Sequence, residues 1–163
     1  MKVSAHLLLF LISVAPAVSG QTSFSGTSHC GKPDPAHSVE VGDRPDHVYS
    51  IVRVHCDWVK PLRMGDAQMT EDQLTGFSEI TGNAGADHGN VVGSLSNGDK
   101  VYVRTQGKSV LAAGKPLSSA GTWYYVGGTG KLKGIKGKGT YKCKSSDDGT
   151  STCDIKGVRR VPR

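Results

Sequence analysis

The chain has 163 residues, 22 of them glycine, with 36% hydrophobic and 21% charged residues and a formal net charge of +6. This length bounds it to one domain with a single core, and the apolar content excludes a disordered chain. No apolar run reaches the ~20 residues that a membrane-spanning helix needs, so no membrane span is expected.

The first elements set the compartment. Met1 and Lys2 give a basic start, Leu7 to Val14 is an apolar run, and Ala15 to Gly20 is a tract of mostly small residues. This order predicts a signal peptide over residues 1–20 and a secreted or periplasmic mature protein. Four cysteines follow, Cys30, Cys56, Cys143 and Cys153. An even number in an exported chain points to disulfides. Cys143 and Cys153 flank the turn Asp147-Asp148-Gly149 symmetrically, which predicts that they pair across a hairpin and leaves Cys30 for Cys56. No CxxC or HxxxH spacing supports zinc, and the histidines are scattered, so no metal is expected.

Residues 21–47 are rich in Ser, Gly, Pro, Asp and His, and Lys32-Pro33-Asp34-Pro35 suits neither a helix interior nor a central strand. They are expected to form an irregular N-terminal arm before a barrel domain over 48–163. Val48 to Trp58 alternates, with Val48, Ser50, Val52, Val54, Cys56 and Trp58 on one face and Arg53, His55 and Asp57 on the other. Lys60 to Asp72 is expected to be a connection. Short strands then recur at Leu74–Thr81, Asn90–Ser96, Lys100–Thr105, Thr122–Val126, Lys131–Lys136, Gly139–Lys144 and Ser151–Lys156. Asn97-Gly98 is a strong hairpin signal between two of them. No apolar stripe at helical period is sustained, so at most a turn or two of helix is expected. The fold class is all-β: a single antiparallel barrel of about eight strands, a number that closes around side chains or one small ligand.

The segment Tyr125-Val126-Gly127-Gly128-Thr129-Gly130-Lys131-Leu132-Lys133-Gly134-Ile135-Lys136-Gly137 resembles the G-G-[ST]-G-x-[FL]-x-G-[VI]-x-G turn of the allene oxide cyclase barrel group. That group includes plant allene oxide cyclases, dirigent proteins with a related motif, and secreted bacterial proteins. The likeness runs from Phe77 onward. It implies an eight-stranded antiparallel barrel with a mainly apolar lumen, and a homo-oligomer as one option. Gly128 and Gly130 are expected at positive φ in the turn, and Gly134 and Gly137 at bends.

Trp123, Tyr125, Tyr102 and Phe77 are the candidate ligand-binding residues, offering rings for stacking and a phenol as a hydrogen-bond handle. Glu79 is the weak candidate for a catalytic residue, since a buried carboxyl can act as acid or base. Arg53, His55 and Asp57 share a face that is expected to point to solvent. The late lysines and Arg159, Arg160 and Arg163 form a basic surface without a nucleic-acid module motif, so no nucleic-acid partner is expected. No phosphate loop or nucleophile elbow occurs, and no cofactor is expected. The functional expectation is a secreted barrel that binds an apolar or aromatic small molecule in its lumen. The alternatives are a cofactor-independent cyclase or isomerase and a structural protein with a filled barrel.

Overall fold

A computed structural model describes residues 20–162. The expected signal peptide lies outside them except for Gly20. Nine strands make the fold: β1 (Thr22–Cys30), β2 (Ala36–Glu40), β3 (His47–Met64), β4 (Ala67–Thr81), β5 (Ala84–Leu95), β6 (Lys100–Ala112), β7 (Lys115–Gly128), β8 (Lys136–Ser145) and β9 (Ser151–Arg160). All pair antiparallel in the order β1-β9-β8-β7-β6-β5-β4-β3-β2, and β1 also pairs with β3. Eight strands therefore close into a barrel, and β2 lies outside it along the first half of β3. No helix among the described residues is long and apolar enough to cross a membrane.

The region expected to be an irregular arm supplies β1 and β2. β1 reads Thr-Ser-Phe-Ser-Gly-Thr-Ser-His-Cys, too polar to show apolar alternation, yet it pairs with β9 over nine residues. Its order comes from the ladder and not from its own pattern. The segment Lys131–Lys136, expected to be a strand, instead holds a 3₁₀ turn at Gly130–Leu132 and then enters β8. The eight barrel strands are thus a different set from the eight expected. Lys60–Asp72 is not a connection either, because β3 and β4 run through it and turn at Gly65-Asp66. Pro61 is tolerated in β3 because it falls where the β3–β4 register shifts, between Asp57 and Leu62, so no ladder bond needs its missing N–H.

Only Ser28, His29 and Cys30 of β1 reach β3, opposite Trp58, Asp57 and Cys56. The barrel seam is three residue pairs long, and the Cys30–Cys56 disulfide spans it. Cys143–Cys153 joins β8 and β9, also directly across the ladder. Both pairings match the expectation and fit an oxidising compartment.

One end of the barrel is closed. Leu132 and Ile135, 2% and 1% exposed, plug it together with Met64, Ala67, Met69, Leu95 and Val101. The glycine-rich motif is therefore the floor of the barrel. Gly130 and Gly134 take the positive φ its turns require. Gly128 does not, and instead lies against Leu132 at a distance that leaves no room for a side chain.

Candidate functional site: the barrel lumen

Alternation on each strand decides what the lumen contains. On β3 the inward residues are Ser50, Val52, Val54, Cys56 and Trp58, and on β4 they are Asp72, Leu74, Gly76, Ser78 and Ile80. β5 contributes Asp87 and Val91, β6 contributes Val103, Thr105 and Ser109, and β7 contributes Ser119, Trp123 and Tyr125. Tyr141 and Ile155 complete the wall. Several other inward positions are glycine, and the missing side chains give the large ones their space. A Cβ at Gly26 would stand 2.7 Å from the Trp58 ring, and one at Gly139 would stand 2.6 Å from the Trp123 ring.

What remains empty is a cavity of about 360 Å³, open at the end opposite the glycine-rich floor. An engineered cavity of about 150 Å³ holds benzene, so this lumen has room for a two- or three-ring molecule. Its deeper wall is aromatic and aliphatic. Towards the mouth the inward positions turn to serine: Ser50, Ser78, Ser109, Ser119, Ser145 and Ser151.

Two carboxyl groups face inward. Near the mouth, Asp87 accepts from Ser78 Oγ at 2.7 Å and from Ser109 Oγ at 3.2 Å. Deeper, Asp72 Oδ2 accepts from the indole Nε1 of Trp58 at 3.0 Å. Burial pushes the Asp72 carboxyl up to about 6, only partly offset by that indole bond and by His55. Burial also pushes the phenols of Tyr125 and Tyr141 up to about 12, so both stay protonated and able to donate. The Trp123 indole N–H is buried and has no hydrogen-bond partner among the described residues. Below the lumen, the Arg159 guanidinium lies 4.7 Å from the centre of the Phe24 ring and donates to the Arg63 carbonyl.

The residues anticipated from the sequence divide between the two faces of the wall. Trp123 and Tyr125 point inward, 5% and 6% exposed, with ring centroids 5.2 Å apart. Phe77 and Tyr102 sit on the outer face, where Phe77 packs against Tyr49 at 5.4 Å, although Phe77 also borders the cavity from its outward position. The structure does not bring these two rings to the other pair. Glu79 is also outside, where it accepts from His47 at 3.0 Å, so its carboxyl is remote from the lumen. The physical reason is register: on β4 the inward set is the even-numbered series that begins at Asp72, and Phe77 and Glu79 belong to the odd one. Arg53, His55 and Asp57 are exposed as expected. His55, Asp57 and Glu71 do converge on the outer wall, their nearest ligand atoms within 4.8 Å of one another.

Asp72, Asp87 and Tyr141 were missed. The signal for Asp72 was the run Asp72, Leu74, Gly76, Ser78, Ile80, whose period of two continues the strand one turn earlier than its apolar residues do.

This closed eight-stranded barrel is similar in fold to solved dirigent proteins. The solved pterocarpan synthase dirigent protein PsPTS1 superposes with a TM-score of 0.51 at 14% identity, over 88% of this chain and 97% of that one. A second pterocarpan synthase dirigent protein, GePTS1, gives 0.49 at 16% identity, over 88% and 87%. A pyocyanin demethylase gives 0.45 at 14%, over 82% and 99%. These likenesses concern the fold alone. No protein-family model and no curated protein sequence matches the chain.

Proposed function

We propose that the protein is a secreted barrel that binds one small, ring-containing apolar molecule in its lumen. The observation that supports this is the open cavity of about 360 Å³ whose deep wall carries both tryptophans of the chain, Trp58 and Trp123. Removing apolar ligand surface from water there contributes about 25 cal/mol per Å². The Trp123 indole N–H and the Tyr141 hydroxyl stand ready to orient a polar substituent. A filled structural barrel fits poorly with that volume.

A second reading has one observation in its favour. A carboxyl held at about 6 is half protonated near pH 6, exchanges its proton close to neutral pH, and so suits proton transfer. Asp72, in place of Glu79, is then the acid or base of a cofactor-independent cyclisation or isomerisation, with the shaped lumen supplying orientation.

Native mass spectrometry of the protein purified from its own host tests the binding reading. The expected species is four hydrogens lighter than the reduced chain and carries a retained small molecule. A protein that arrives empty, and whose tryptophan emission ignores a broad panel of apolar aromatics, would overturn it.

A further inference from the structure

The lumen is acidic inside a basic protein. The chain carries 20 lysines and arginines against 14 acidic residues, yet no lysine or arginine lines the cavity. Its ionisable side chains are the carboxyls of Asp72 and Asp87 and the neutral phenols of Tyr125 and Tyr141. His88 borders the cavity from an outward-facing position of β5.

Asp72 carries the argument further. From β3 it meets the Trp58 indole, and from β5 its register partner is Gly93, which brings no charge. The charged groups near it, His55, Asp57 and Glu71, stand on the outer side of the wall, and two of those three are acidic. The cation at the floor, Arg159, donates to the Arg63 carbonyl, stacks on the Phe24 ring and acts on the Tyr125 phenol. Its other terminal nitrogen has no partner among the described residues, and it is not among the charged groups that act on Asp72. Asp72 therefore lacks a cationic partner on the lumen side, and a buried carboxylate without one is costly. A ligand that brought its own positive charge would supply that partner. The Trp58 ring beside it and the Trp123 ring of the same lumen wall would also attract a cation through their π faces. An anionic ligand, by contrast, would have to enter past Asp87 and come to rest against Asp72.

We propose that the lumen selects an organic cation, a protonated amine on an aromatic frame, with its ammonium group on Asp72 and its ring between Trp58 and Trp123. This rests on the lumen-binding reading above and names the ligand class for it.

The test uses three probes on one ring system: 1-naphthylmethylamine, 1-naphthalenemethanol and 1-naphthoate, titrated by calorimetry into the oxidised protein. The amine should bind about 10-fold or more tighter than the alcohol, the range that a charge-assisted contact supplies. The naphthoate should bind weakest. The advantage of the amine should shrink as pH falls below about 6, because protonated Asp72 no longer attracts it. Asp72→Asn should remove the amine's advantage over the alcohol. Equal binding of all three, a preference for the naphthoate, or an amine preference that survives in Asp72→Asn would each overturn the cation proposal alone. Failure of all three to bind would overturn the lumen reading and this proposal together.

Discussion

Replacing Asp72 by asparagine should make the protein more stable at neutral pH, and the size of the gain follows from its surroundings. Burial holds the carboxyl at about 6, against an ordinary value of 3.8. The folded state therefore binds this proton more tightly than the unfolded chain does. The sign follows: stability contributed by the protonated group is complete below about pH 4 and is lost as pH rises through about 6. The gap corresponds to at most about 3 kcal/mol, and water in the lumen reduces it. Asparagine is neutral throughout and keeps an oxygen for the Trp58 indole N–H. Urea unfolding with the disulfides intact, followed by tryptophan emission, should show Asp72→Asn more stable than wild type by about 1–3 kcal/mol at about pH 7.5. At about pH 4 the two should agree within about 0.5 kcal/mol. A difference that does not depend on pH, or an asparagine variant less stable at neutral pH, would refute the reasoning.

Three further outcomes follow from the same geometry. Gly139→Ala should cost about 1–3 kcal/mol in the same unfolding assay, since its Cβ meets both the Trp123 ring and the β9 backbone. Phe77→Ala and Tyr102→Ala, both on the outer face, should leave the affinity for 1-naphthalenemethanol within about 2-fold, whereas Trp123→Ala should weaken it about 10-fold or more. Replacing Cys30 and Cys56 by serine opens a link between positions 26 residues apart and should cost about 3.5 kcal/mol, against about 2.7 for the 10-residue Cys143–Cys153 link. Hydrogen exchange should then rise first along β1, whose hold on β3 is three residue pairs.

The barrel was legible in the sequence because its strands announce themselves locally. Asn97-Gly98 marks the β5–β6 hairpin, and the Cys143 and Cys153 spacing marks β8–β9. Alternation from Val48 to Trp58 assigns the inward face of β3 correctly. β1 was hidden because a strand of serines, threonines and one glycine is ordered by its partners, and pairing with β9 is a property of the closed fold. The floor loop was mistaken for a strand because Leu132 and Ile135 look like strand residues, although they are buried as a plug beneath the barrel. The site was half legible. Trp123 and Tyr125 could be placed because the aromatic segment Thr122–Val126 alternates clearly, but Phe77 and Glu79 drew attention through their chemistry while the β4 register assigns them to the outside. Asp72 went unnoticed because its strand was started too late. Its importance depends on burial and on the absence of a cation on the lumen side, neither of which a single strand reveals.

The central claim is that the lumen, and not the outer wall, holds the ligand. A substitution that fills the cavity tests it most directly: Val91→Phe, from an inward position on β5, confirmed as folded by circular dichroism and compared with wild type by calorimetric titration of 1-naphthalenemethanol. The account predicts saturable one-to-one binding to wild type and its loss in the filled variant. Undiminished binding to a correctly folded Val91→Phe protein would contradict it.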